Sequence, residues 1–294
     1  MTQDFPDHAD AAERKASIVR LTRDLKAAAV TMSEQEARFL VDGYYSMQDD
    51  RKRANNQSRA MADEPHTLVV WLAEQGEMLE GQIKRALETY SDAHAIGRWM
   101  KSIYGIGPVI AAGMLAHIDI TRAPTAGHIW SYAGLDPSTQ WLKGEKRPWN
   151  AALKTLCWKT GQSFMKFSNQ EECVYGAVYR KRKEFEMARN DRGQNAETAT
   201  RLLTEKKFSK ATEAYKSLSQ GRLPPGQIDG RARRYAVKLF LSHLQTAWWF
   251  DKFQELPPRP YAIAHLDHAH FIGIPNAEII EGLPDALRAR GWMQ

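Results

Sequence analysis

Cysteine is nearly absent from this chain. Cys157 and Cys173 are its only two, far apart and without a C-x-x-C pair. A disulfide framework and a structural zinc site are both excluded on that count, and a reducing compartment is the natural setting. Long apolar runs are missing too: none approaches the roughly 18 residues of a membrane span. The opening stretch MTQDFPDHADAAERK is polar and acidic with no apolar centre. It is therefore not read as a signal peptide, and a cytoplasmic protein with no membrane partner is expected. Also lacking are a P-loop, a G-x-S-x-G elbow and a full G-x-G-x-x-G fingerprint, since Gly105 and Gly107 are not followed by the third glycine. No period-two strand pattern and no repeat of fixed length occurs, so the expected fold class is all-α.

What is present is apolar and basic. Apolar residues make up 43% of the 294, with nine tryptophans, enough to bury a core. The net charge is +6 and the pI near 9.2, a balance that suits a polyanion partner without demanding one.

The densest signal is Trp99–Ala116, WMKSIYGIGPVIAAGMLA. A first helix ends near Tyr104, glycines two apart make a tight turn, Ile106 plugs between helices, and Pro108 opens the next helix. This is the layout of a helix-hairpin-helix. The free N–H groups and dipole at the start of its second helix suit a phosphate of a nucleic-acid strand. Gly105, Ile106, Gly107, Pro108 and Val109 are the candidate backbone contacts, with Lys101 beside them.

Before the hairpin, apolar residues recur at helical spacing. Ile18, Leu21 and Leu25 belong to a first helix, and Ser33 with Glu36 forms a capping box before Phe39, Leu40, Tyr44 and Met47. Pro65 breaks the pattern, and Leu72, Leu79, Ile83 and Leu87 form the seam of a third helix. Asp92 is the expected N-cap of the helix entering the hairpin. After it, Thr125 caps a short helix that ends at Gly134, and Trp141–Trp149 interleaves Lys143, Lys146 and Arg147 with two tryptophans. Such mixing suits phosphate contacts beside rings that stack on sugars or unpaired bases, and Lys154 on the next helix adds to it. Arg180–Lys183 is an unbroken run of cations, most simply a solvated helix face. Asn190–Asn195 reads as a boundary, Thr198–Leu218 as helical, Leu223–Gly226 as a linker, and Leu239–Phe253 as a buried apolar helix. The resulting division is a helical arm over 1–91, a hairpin domain over 92–190 and a helical region over 191–294. The arm suits dimerisation, and a homo-oligomer is expected.

Two motifs in order carry a family resemblance. GIGPVIAAGMLAHID at 105–119 is followed by SYAGLDP at 131–137, then by Lys143-Gly144 and a basic helix. Together, over roughly 92–185, they resemble the C-terminal domain of the DEDD-type insertion-sequence transposases, the Piv/MooV-like recombinases. The resemblance implies a helical domain that binds DNA and a link to transposition or recombination. It leaves room for an RNA or a transposition partner. The family's other half, a RuvC-like α/β domain with four metal-binding acids, has no counterpart: Asp49, Asp50, Asp63 and Glu64 stand in charge runs or beside proline. The family also carries a serine next to a glycine after the G-L-x-P turn. Ser138 is the one serine near that place here and is the only catalytic candidate. No cofactor motif is evident, and magnesium enters only if the chain cuts DNA. His265, Asp267, His268 and His270 have the residue types of a metal site, yet read more simply as surface. The rival readings are a strand-transferase using Ser138 and a structural or assembly protein of a mobile element.

Overall fold

The computed structural model describes residues 21–60, 67–258 and 272–292. Within them the chain is all-α, with no strand. Its helices are α1 (Arg23–Ala28), α2 (Glu34–Ala60), α3 (Thr67–Asp92), α4 (Ala95–Ser102), α5 (Pro108–His117) and α6 (Ala126–Tyr132). They continue as α7 (Ala151–Lys166), α8 (Val174–Asp191), α9 (Ala196–Glu205), α10 (Glu213–Ser219), α11 (Pro225–Phe253) and α12 (Leu283–Ala289). Among the described residues no helix is long and apolar enough to cross a membrane. Pro65, Asp63, Glu64, the start of the first expected helix and the histidine cluster at 265–270 lie outside the described residues.

Two compact units divide the chain. One takes the described residues up to Arg98 together with Gly107–Ile118; the other takes Trp99–Ile106 and those from Asp119 onward. These cuts differ from those read in sequence at 91 and 190. The chain passes from one unit to the other inside the hairpin turn, and 119–258 hold together because α11 supplies their core.

In the first unit, α2 begins with the capping box read from sequence. The Glu36 carboxylate accepts from the Ser33 N–H at 2.7 Å, and the Glu36 N–H donates to Ser33 Oγ at 3.3 Å. α2 and α3 pack lengthwise; of the expected seam Leu87 is buried, but Leu72 and Leu79 are exposed. Leu72 is 59% exposed and Phe39 77%, while Ala73, Glu80 and Leu87 are buried. Those three are spaced a heptad apart, the repeat that keeps one stripe facing a partner helix. A glutamate is tolerated in that stripe because Arg51 Nε on α2 meets its carboxylate at 2.7 Å. α5 is apolar on every side, and such a helix must be buried. It packs on α2 and α3, with Arg38 Nε donating to the Ala116 carbonyl at 2.6 Å. Asp92 does not cap α4: it ends α3, and its carbonyl accepts from Arg98 Nη1 at 2.7 Å.

The second unit is built around α11. Phe240, fully buried, meets Phe164 of α7 at 5.8 Å and Tyr175 of α8 at 5.5 Å between ring centroids, and stacks parallel to Trp99 at 6.3 Å. Beside it His243 Nε2 donates to the Ile272 carbonyl at 3.0 Å, which leaves Nδ1 to accept from the Tyr175 hydroxyl at 2.8 Å. Complete burial lowers the His243 pKa to about 4.

Three readings of the C-terminal third need correction. Residues 198–218 are two helices, α9 and α10, not one. The Leu223-Pro224-Pro225-Gly226 stretch is no linker: Leu223 is buried in a small cluster with Ala199, Leu218 and Ile228, and Pro225 opens α11. Proline is at home there because the first helical N–H has no partner in any case. Nor is Asn190–Asn195 an exposed boundary. The buried Asn190 amide donates to the Leu223 carbonyl at 3.0 Å and its oxygen accepts from the Leu223 N–H at 2.8 Å, stapling that stretch in place.

Candidate nucleic-acid interface

The hairpin turn is set by local backbone chemistry. Gly105 has φ +97°, a region L side chains rarely adopt, so the glycine is required by the turn itself. The turn is braced from below: Ser163 Oγ on α7 donates to the Gly105 carbonyl at 2.5 Å, and Cys173 Sγ lies 3.5 Å from the Tyr104 carbonyl. The Ile106 N–H closes on the Ile103 carbonyl at 2.9 Å, and both isoleucines are buried.

Gly107 is different. It is the N-cap of α5 with φ −96° and ψ 174°, ordinary extended angles, and a Cβ built on it meets nothing within 4 Å. Glycine is acceptable as an N-cap, and neither a positive φ nor a tight contact demands it here. With Pro108 at N1 and no capping side chain, the N–H groups of the first turn lack a side-chain acceptor. Val109 is buried while Gly107 and Pro108 are half-buried, and Lys101 is half-buried in the last turn of α4.

The segment after α6 folds back on itself. Gly134 takes φ +64°, and a Cβ there would lie 2.7 Å from the Trp149 ring, so the indole rests directly on the turn backbone. Trp141 meets Trp149 edge-on at 6.1 Å, and its Nε1 donates to the Glu145 carbonyl at 2.7 Å. The Arg147 guanidinium lies 4.7 Å over Trp141, and Lys154 Nζ on α7 lies 4.0 Å over Trp149. Cations over indole faces are held by the ring quadrupole while their outer side stays open. Lys143 and Lys146 are exposed in the same loop. The second unit thus brings Lys143, Lys146, Arg147 and Lys154 into one loop and the helix after it.

Ser138 closes the turn that Asp136 begins. Asp136 Oδ1 accepts from the Ser138 hydroxyl at 2.7 Å and N–H at 2.9 Å, and Oδ2 accepts from Ser131 at 2.9 Å. These bonds, Ser138's first, hold the Asp136 carboxyl below the usual carboxylate range. Asp49 and Asp50 are exposed on α2 beside Lys52 and Arg53, their partners at i+3. Among the described residues no group of three or more His, Cys, Asp or Glu could hold a metal ion.

Residues 97–141 match the Transposase IS116/IS110/IS902 family. The match runs through the hairpin, α5, α6 and the Asp136 turn, and it relates this segment to the insertion-sequence transposases. No curated protein and no solved structure matches the chain. The transposase-like segment stops at Trp141, short of Arg147, Lys154 and all of α11. Reading by sequence alone also missed Arg234 on α11, whose signal was confined to the basic opening Arg231-Arg233-Arg234. No local pattern says that this helix packs on α7.

Proposed function

We propose that the chain binds DNA through its hairpin and serves transposition or recombination, and that the matched segment descends from the C-terminal domain of the Piv/MooV-like DEDD transposases. The observation that carries the reading is Gly107. A glycine with ordinary angles and open space around it, at the uncapped start of a helix, is what close approach of a phosphate requires. Lys101, Lys143, Lys146, Arg147 and Lys154 add charge that carries no base specificity. The family relationship of residues 97–141 supports the same partner. A homo-oligomer formed through the α2–α3 arm fits the leucines exposed on α3, Leu68 and Leu72.

Gly107→Ala tests the reading, because an added Cβ meets nothing within 4 Å. Fluorescence anisotropy on labelled duplex DNA across a salt series is expected to show log affinity falling by roughly 0.9 per neutralised phosphate. The alanine variant should stay folded, with a small loss of melting temperature from the poorer cap, and lose about tenfold in affinity, the worth of a backbone bond to a charged group. Unchanged affinity in the folded variant would overturn the placement, and no binding at low salt would overturn the function.

A further inference from the structure

The chain carries a second group of cations that lie close enough to act on one another and have no acid among them. Among the described residues Arg147, Lys154 and Arg234 have no carboxylate partner, although other arginines and lysines of the same unit are matched to acids. Burial first, then the Arg147 and Arg234 guanidiniums, hold the Lys154 ammonium below the ordinary lysine range. Burial and then Arg231 and Arg233 do the same to Arg234. Like charges gathered without a counter-charge cost free energy unless an anion enters. A single acid, Glu145, lies within the loop from Ser138 to Asn150.

Exposed rings accompany these cations. Trp141 is 47% exposed, and Trp158 is 58% exposed one helical turn after Lys154, on the same face of α7. A large aromatic left in water beside an uncompensated cation is an unfavourable surface for a fold to keep, and it is the surface that a strand with unpaired bases would use. Phosphates pair with the cations, and each base finds a ring to stack on. Duplex DNA offers the phosphates but keeps its bases stacked on one another.

We propose that Arg147, Lys154 and Arg234, with Trp141 and Trp158, form a site for a nucleic-acid strand with unpaired bases. The site rests on the nucleic-acid reading above and narrows it to single-stranded or locally opened substrate. It also extends that reading to α11, beyond the transposase-like segment.

The test uses the full chain, a labelled oligothymidylate and a duplex of equal length, in anisotropy titrations over a salt series. Inorganic polyphosphate serves as a competitor that has charge and no bases. Trp158→Ala and Trp141→Ala should each weaken oligothymidylate binding by roughly tenfold, the worth of one stacked base, and Trp158→Ala should leave duplex binding unchanged. Arg234→Gln should reduce the single-strand salt slope by about 0.7, one phosphate contact. Lys181→Gln, an exposed cation on α8, is the control that should move neither. Circular dichroism melting of each variant confirms folding, and Trp158 is the safer of the two tryptophans because its side chain stands on a helix surface. Tryptophan variants that bind oligothymidylate like the wild type, or a Trp158 variant that loses duplex binding equally, overturn the proposal. So does polyphosphate that displaces oligothymidylate as well as an equal concentration of oligothymidylate phosphate does. Duplex binding without single-strand binding overturns this site and leaves the hairpin reading standing; loss of both overturns the two together.

Discussion

Arg182 and Lys183 sit in the densest run of cations in the chain, whereas Arg147, Lys154 and Arg234 are scattered along it. Two of the four cations in the dense run, Arg182 and Lys183, turn out to be spoken for. Arg182 pairs with Glu186, which also meets Arg231 Nη1 at 3.3 Å. Lys183 Nζ reaches Asp229 at 3.2 Å, and Arg233 Nε reaches the same carboxylate at 2.8 Å. These pairs tie α8 to α11, and their acids are buried or nearly so. Of the scattered cations, Arg147 and Lys154 have rings under them instead of carboxylates. Charge density along a sequence therefore says little about charge available to a partner. What matters is whether the fold brings an acid to each base.

Breaking the paired set should have the largest effect. Glu186→Ala strands two guanidiniums beside a site where the carboxylate side chain is only 2% exposed. It should cost about 3–5 kcal/mol by denaturant or thermal unfolding, because removing one partner leaves buried charge uncompensated. The unpaired set predicts the opposite pattern, a loss of binding at constant stability. A Glu186 variant as stable as the wild type would mean that the two groups of cations are not distinct in the way described.

Acid is the next way to separate them. His243 titrates near pH 6.5 when unfolded and at about 4 when folded, so between those values the unfolded chain binds the extra proton. Stability is then fully present above pH 6.5 and falls as the pH drops toward 4. The loss is about 3 kcal/mol at roughly 1.4 kcal/mol per unit. Melting temperatures over that window should decline in the wild type and flatten in His243→Gln. Arg147, Lys154 and Arg234 keep their charge throughout, so any binding lost there is lost through the fold.

Much of this was legible beforehand where the cause is local. The Ser33–Glu36 box and the hairpin turn at Gly105 each depend on residues a few positions apart. The misreadings share another cause. Leu223–Gly226 looks like a linker because prolines and glycine punctuate chains, but Asn190 holds it from 33 residues away. In the run Arg180–Lys183 the first two cations are exposed as read, but Lys183 pairs with Asp229, which is too distant in sequence to count against solvated charge. The α3 seam was misplaced at Leu72 and Leu79 because these outrank Ala73 and Glu80 in hydropathy, while the face that packs on α2 is chosen by the fit of small residues and an ion pair.

The two hairpin glycines sharpen the comparison at smaller scale. Gly105→Ala places a Cβ at φ +97° and should cost about 1–2 kcal/mol of stability. Gly107→Ala should change stability by less than about 0.5 kcal/mol, as expected where the new methyl meets nothing within 4 Å. The smallest effect is expected at the loop tip: Lys143→Gln or Lys146→Gln should leave the melting temperature unmoved and reduce the duplex salt slope by about 0.9 each.

The first unit is interrupted in sequence, since α5 returns to it after the chain has already entered the second. A stretch ending at Arg98 would leave α2 and α3 without the apolar helix that completes their packing, so neither unit is a portable cassette. A cut at Arg98 therefore divides the first unit rather than freeing it. The short family-like segment lies across that interruption, with residues in both units.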